Sequence, residues 1–357
     1  RLVHVFGISD VVIMWFKSYL IGRTQQVFFN NKLSDRNVVL SGVPQGSVLG
    51  PVLFLLYTAE ALAVIESFGF KYHAFADDIQ IILSCKPNSF QNEIDRLVEC
   101  LNEVDIWLSS NCLKLNQCKS QFLPVGTWQQ VSKINIDSIK IQDKNIQFCQ
   151  ETTNLGCVFD SKLSMNEHIK TIAKTCSFQL RRLNRVKKSL DKSTVQSLVH
   201  AFVHSRLDYC NSLFFGLPER SVAVLQSIQN RAAKIVVGGR KFDHVTPILH
   251  DLHWLTVGKR ILYKVAIIMY RVINGLLPDY LINKFQKKLT TSAFGGTRLR
   301  SDYDNLMVVP VARLKMGARN IAVSGARVWN NLPKSLRMSD LKIDDFKKKL
   351  KTHLFEL

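Results

Sequence analysis

No Cys-x-x-Cys pair occurs among the eight cysteines, Cys85, Cys100, Cys112, Cys118, Cys149, Cys157, Cys176 and Cys210. That absence argues against a zinc module, and thiols scattered in this way do not make a disulfide framework, so they are read as reduced core residues of an intracellular protein. A secretory leader is also missing from the first residues. The most apolar stretch, residues 48–65, is interrupted by Gly50, Pro51 and Glu60, which speaks against a membrane span, and no membrane partner is expected. Internal repeats and low-complexity tracts are absent, which sets aside solenoids and disordered tails. Acidic residues are scarce: 28 Asp and Glu face 48 Lys and Arg, a net charge of +20.

Such an excess of positive charge is the footprint of a nucleic-acid binder, although ribosome association or affinity for acidic membranes would produce the same balance. With 357 residues, 46% of them hydrophobic, the chain has material for two or three domains. Arg1 runs directly into an amphipathic stretch, a start that reads as truncation. Ser9-Asp10 predicts a helix N-terminus, and Val12, Ile13, Trp15, Phe16, Tyr19 and Leu20 predict a buried helical face ending near Gly22. Residues 26–29 and 38–40 predict a hairpin turning at Asn30-Asn31-Lys32. A turn of small residues, 41–47, leads into an apolar helix over about 48–66. Residues 71–84 read as strand, Asp77-Asp78 turn, strand. A helix over about 89–110 and a strand near 120–125 complete the expected sheet backed by helices.

Beyond about Met165 the periodicity becomes helical, over roughly 165–189, 193–213, 217–237 and 256–274. A boundary near residue 163 follows. Pro278, Gly295-Gly296 and Arg298-Leu299-Arg300 mark a linker-like region before a Lys-rich terminal helix. The expected class is α+β in three parts: 1–163, a helical 164–290 and a basic 291–357.

Asp77 and Asp78 sit between two β-prone runs, where adjacent carboxylates repel unless something positive compensates. A solvated hairpin tip explains a lone Asp-Asp pair. A divalent cation explains it more sharply, because hard oxygen ligands on a rigid turn suit Mg²⁺. What favours the cation is the segment about thirty residues upstream, Ser41-Gly42-Val43-Pro44-Gln45-Gly46-Ser47-Val48-Leu49-Gly50-Pro51. Together with Phe75-Ala76-Asp77-Asp78 it resembles motifs B and C of reverse transcriptases, in the wording of the LINE-type (non-LTR) retrotransposons. Asn154-Leu155-Gly156, residues 204–211 and residues 326–333 are similar to the same family's thumb and C-terminal region.

The resemblance implies a partial right-hand polymerase: a palm over 1–163, then a thumb. It implies that Asp77 and Asp78 bind the catalytic Mg²⁺, with Mn²⁺ as the alternative ion, and that Phe75 and Ala76 lie near the primer's 3′ end. Pro44, Gln45 and Gly46 would face nucleotide and template, where a glycine lets backbone approach a base pair. Lys119, after Leu113-Lys114-Leu115-Asn116, matches the place of a general acid for the leaving pyrophosphate; a surface lysine is the plainer reading. The family's other metal-binding aspartate, in motif A, is expected before Arg1.

The implied activity is RNA-directed DNA polymerisation by two-metal nucleotidyl transfer, with RNA template, DNA primer or target and deoxynucleoside triphosphates as partners. The implied setting is a ribonucleoprotein in cytoplasm and nucleus. Arg181, Arg182, Arg185, Lys187, Lys188 and Lys192 form the densest basic patch, suited to duplex phosphates. Arg231, Lys234, Arg240 and Lys241 extend it. A solvated helix face is the plain alternative for the patch. For the whole chain the alternative is a nucleic-acid-binding remnant without catalysis. His200 and His204, four apart, are read as core or surface histidines, and Trp254 and Trp329 as core.

Overall fold

The computed structural model describes residues 1–134, 137–141, 144–240, 242–286, 306–338 and 341–357. It is a mixture of helices and short antiparallel strand pairs, and it divides into two compact units: residues 1–122 with 127–149, and residues 123–126 with 150–357. The division falls at residue 149, ahead of the boundary expected near residue 163.

In the first unit α1 (Asp10–Leu20) ends before Gly22, but none of its residues is buried; the expected buried face is only half-covered, at Ile13, Phe16, Tyr19 and Leu20. The hairpin that follows is longer than expected. β2 (Phe28–Phe29) pairs with β3 (Lys32–Leu33) across a left-handed Asn30-Asn31 tip, while β1 (Thr24–Gln25) pairs with β4 (Asn37–Val38). Two successive residues with positive φ close a two-residue hairpin loop, a conformation asparagine tolerates. α2 (Gly50–Ser67) starts with Pro51 in its first turn, where no amide hydrogen bond is lost.

β5 (Lys71–Phe75) and β6 (Asp78–Ile82) form the next hairpin, and α3 (Phe90–Ser110) follows. Ile94, Leu97, Cys100 and Val104 recur every three or four residues on α3 and so share one face. That face closes a core with Ile65 of α2, Phe70, and Ile139, Ile141 and Ile146 of β7 (Ser138–Ile141) and β8 (Lys144–Gln147). Helix α4 (Trp128–Val131) is a single capped turn. The strand expected near 120–125 is reduced to one bridge, Phe122 to Phe148, whose rings stack at 4.5 Å. Among the described residues the strands form five two-stranded ladders rather than one sheet.

The second unit opens with β9 (Glu151–Asn154) and β10 (Cys157–Asp160), turned at Leu155-Gly156, both with positive φ. Asp160 then accepts hydrogen bonds from the amides of Lys162 (3.1 Å), Ser164 (2.9 Å) and Met165 (2.8 Å), so one carboxylate organises the entry to α5 (Asn166–Val186). α5 packs its Ile169, Ile172, Cys176, Leu180 and Leu183 stripe on α6 (Lys192–Val199) and α8 (Glu219–Val237). The helix expected over 193–213 is interrupted: a π-helical turn, His200–His204, joins α6 to α7 (Ser205–Asp208). α8 ends at Gly238, whose left-handed backbone lets the Gly239 amide return to Lys234 O at 2.8 Å. α9 (Val245–Asp251) was not anticipated from the sequence, being only two turns long.

α10 (Val257–Ile273) is the axis of a second core. It meets α11 (Asp279–Gln286), α13 (Ile321–Asn330) and α14 (Ile343–Glu356), with α12 (Lys315–Ala318) leading into α13. Trp329, Phe346, Leu350 and Leu354 fill this core, and Asn330 exchanges two 2.8 Å hydrogen bonds with the backbone of Met307. Trp254 and Trp329 are both buried, as expected. The cysteines depart from expectation: Cys100, Cys157 and Cys176 are core residues, but Cys85, Cys112, Cys118 and Cys210 are exposed. Gly295, Gly296, Arg298, Leu299 and Arg300 of the expected linker lie outside the described residues.

Candidate functional site

Asp77 and Asp78 owe their position to the β5-β6 ladder. The register pairs Lys71 with Ile82, Ala74 with Ile79 and Phe75 with Asp78, so the two-residue tip is Ala76-Asp77. Asp78 is thus the first residue of β6, not part of the turn expected from the sequence. Ala76 adopts φ +54°, a left-handed conformation that costs an L-residue with a Cβ energy unless surroundings enforce it. Strain of this kind collects at sites where side chains must be aimed. At the other end of β5, Tyr72 Oη donates to Glu66 Oε1 at 2.7 Å, which fastens the ladder to the end of α2. The Glu66 carboxylate holds that phenol above its ordinary value.

Both carboxylates, with Phe75 and Ala76, are exposed, and neither Asp77 nor Asp78 forms an ion pair among the described residues. No third His, Cys, Asp or Glu among the described residues completes a metal cluster with them. Two carboxylates side by side on one hairpin tip nevertheless offer the hard oxygen ligands that a divalent cation takes together with substrate phosphates.

Pro44, Gln45 and Gly46 occupy the loop before α2, all exposed. Gly42 and Gly46 both have φ +80°, and the loop closes through Ser47 N to Pro44 O (3.2 Å) and Gly50 N to Ser47 Oγ (3.2 Å). Arg23 holds its base, donating to Gly42 O at 2.5 Å and to Leu20 O at 2.9 Å. Among the described residues no hydrogen bond or ion pair joins this loop to the Ala76-Asp77 tip. Lys119 lies in a turn after α3, exposed, its amide donating to Asn116 O at 3.0 Å, and among the described residues it forms no ion pair with Asp77 or Asp78.

In the second unit Arg181, Arg182 and Arg185 are exposed on α5 outside its buried stripe, and the short 3-10 turn after α5 carries the exposed Lys188 and the half-buried Lys187. Arg182 lies over the Phe178 ring at 5.6 Å, and Lys192 opens α6. Asp191, the acid nearest the patch in sequence, caps α6 through the amides and hydroxyls of Ser193 and Thr194. Those hydrogen bonds hold its carboxyl well below the usual carboxylate range. Arg231 of α8 donates to Ser177 Oγ at 3.3 Å, one turn before Arg181, so the patch continues onto α8. Lys241 lies outside the described residues.

Two of the resembling blocks meet: Tyr209 Oη donates to Leu155 O at 2.6 Å, so residues 204–211 clasp the Asn154-Leu155-Gly156 turn. His204 is buried, and its Nδ1 stands 3.0 Å from His200 Nδ1. Sequence reasoning missed Arg260, Lys264 and Lys351, which gather around a cavity with His200 and Trp254. The four-residue spacing of Arg260 and Lys264 on α10 was the signal available.

Residues 1–158 match the family model described as reverse transcriptase (RNA-dependent DNA polymerase). The chain is 26% identical over 257 residues to the "Probable RNA-directed DNA polymerase from transposon BS" of Drosophila melanogaster, covering 69% of this chain and 28% of that protein. It is 26% identical over 250 residues to the "Probable RNA-directed DNA polymerase from transposon X-element" of the same species, over 68% and 26% of the two chains. Against the "RNA-directed DNA polymerase from mobile element jockey" the figures are 22% over 295 residues, 80% and 31%. The matched segments span 26 to 31% of the length of these curated relatives. No solved structure matches the chain.

Proposed function

We infer that this chain, which is similar to the RNA-directed DNA polymerases of non-LTR transposons, is a reverse transcriptase segment of the LINE type and carries the metal-binding tip and the primer-template grip of an RNA-directed DNA polymerase. The first unit is then the palm and the second the thumb and C-terminal region. The observation that carries this reading is the hairpin tip: two adjacent, unpaired carboxylates presented on a ladder whose turn residue, Ala76, is held left-handed.

Asp77 and Asp78 would hold Mg²⁺ or Mn²⁺ through their carboxylate oxygens. The ion supplies charge stabilisation for the attacking and leaving oxygens of phosphoryl transfer. Phe75 and Ala76 border the place of the primer's 3′ end. Pro44, Gln45 and Gly46 give a surface without a Cβ at Gly46, against which nucleotide and template can lie closely. Lys119 is the candidate proton donor to pyrophosphate. The basic patch from Arg181 on α5 to Lys192 at the start of α6, extended by Arg231, would contact duplex phosphates. The setting is a ribonucleoprotein in cytoplasm and nucleus.

A second reading, nucleic-acid binding without catalysis, is favoured by one observation: no third ligand joins Asp77 and Asp78 among the described residues. The two readings separate on metal binding. Electron paramagnetic resonance should show Mn²⁺ bound in the presence of primer-template and nucleotide, and Asp77→Asn with Asp78→Asn should weaken it about tenfold or more. Equal binding by both proteins would remove the metal site and leave the second reading.

A further inference from the structure

A cavity of about 300 Å³ in the helical unit is unused by the proposed reaction. Its floor is apolar and buried: Trp254 and Leu255 are 3% and 4% exposed. Its lining is basic, with Arg260 and Lys264 one turn apart on α10 and Lys351 on α14. The one carboxylate in the wall, Asp208, is already engaged. Arg260 Nε donates to its Oδ1 at 2.8 Å, Arg260 Nη2 donates to its Oδ2, and Asn211 Nδ2 donates to its Oδ1 at 3.3 Å. Arg260 and Asp208 therefore neutralise each other, and Lys264 and Lys351 remain without an acidic partner among the described residues.

The backbone departs from regular helix at this place. The π-helical turn His200–His204 sets the two imidazoles against Trp254, with ring centroids 5.4 Å and 4.2 Å from the indole, and leaves His200 on the cavity wall. An inserted π turn forgoes regular hydrogen bonds, and such turns concentrate at functional sites.

We propose that this cavity binds the phosphate group of a single nucleotide, the rest of the nucleotide lying against the Trp254 and Leu255 floor. Two ammonium groups and the Nη1 edge of Arg260 surround a space on a net positive wall, a donor set that suits a dianion with three terminal oxygens. The volume sits at the lower end of pockets that enclose small ligands, which matches one nucleotide and not a duplex. The nucleotide is either free or the phosphorylated end of a strand; the shared chemistry is a phosphomonoester. The site stands apart from the metal reading, since all its residues belong to the second unit, in the π turn, α7 and the 3-10 turn after it, the segment before α10, α10 and α14, so it holds whether or not Asp77 and Asp78 bind metal.

Fluorescence anisotropy with the full chain tests it, using a short single-stranded DNA carrying either a 5′-phosphate or a 5′-hydroxyl, with AMP and inorganic phosphate as competitors. The 5′-phosphate strand should bind about tenfold tighter, and Lys264→Gln with Lys351→Gln should abolish that difference while leaving binding of the 5′-hydroxyl strand as it was. Displacement by AMP would identify free nucleotides as a source, and a strand-end preference that AMP does not compete would identify strand ends; either upholds the cavity. If the double variant melts earlier than the parent, Lys264→Gln alone is read for the same difference. Equal affinity for both strands together with no competition by AMP, or a preference that survives both lysine substitutions, would overturn the proposal.

Discussion

His204 shows how burial sets the chemistry of a single residue in this chain. Its imidazole, 2% exposed, is pushed down from 6.5 to about 3, first by burial and then by the Arg260 and His200 charges beside it. His168 and His200 are pulled down for the same first reason. Unfolded chain takes up a proton on His204 near its ordinary value, whereas folded chain does so only near 3. Between those values the unfolded state binds more protons, so stability is complete above about pH 6.5 and is lost as pH falls toward 3. Urea denaturation between pH 7.5 and 5 should show this loss, and His204→Gln should flatten the slope even if the variant starts less stable. A slope unchanged in the variant would mean that other groups dominate. At this scale the sequence disclosed residue types but not environments. Asp77 and Asp78 were legible as a motif, yet the exchange of roles that puts Ala76 in the tip and Asp78 in the strand depends on register, which only pairing fixes.

At the scale of elements, α10 and α13 cross where a Cβ on Gly325 would overlap Met269 Sδ, a side chain that is itself fully buried. Gly325→Ala should therefore destabilise the chain by about 1–3 kcal/mol through overpacking, although alanine is the better helix former. Thermal unfolding reads it, and a stabilised variant would show that Met269 has room to turn aside. Helices α3, α5, α8 and α10 were legible because their apolar residues recur with the helical period, and α2 because it is a long, largely apolar run after a turn of small residues. The Val38–Leu40 run was given the wrong partner, since local β-propensity says that a strand forms and not with whom. The break in the helix after Val199 was invisible, because a π turn changes hydrogen bonding without changing the apolar pattern. Likewise nothing local announces that Tyr209 will clasp Leu155, a contact between segments 54 residues apart.

For the whole molecule the governing quantity is the +20 charge, and the exposed side of α5 is where it becomes a surface. Each phosphate neutralised releases counterions, so primer-template affinity should fall steeply with salt. Reversing Arg181, Arg182 and Lys188 to Glu should lower the slope of log K against log salt by about 2–3 units. An unchanged slope would make that surface a solvated helix face. Charge and motif together made the family legible in the sequence, while the division at residue 149 was not, because the β9-β10 hairpin reads locally as more of the first unit's sheet. The most direct measurement of the catalytic claim is incorporation of labelled deoxynucleotides on an RNA template. It is made with residues 1–357 alone and with the same residues joined to a segment carrying the family's remaining metal-binding aspartate. In-line transfer needs charge held on both oxygens, and among the described residues Asp77 and Asp78 are joined by no third ligand that would share in holding it. The expected result is no incorporation by the chain alone and incorporation by the joined protein, lost in Asp77→Asn. Incorporation that survives Asp77→Asn and Asp78→Asn would contradict the assignment of the hairpin tip as the metal site.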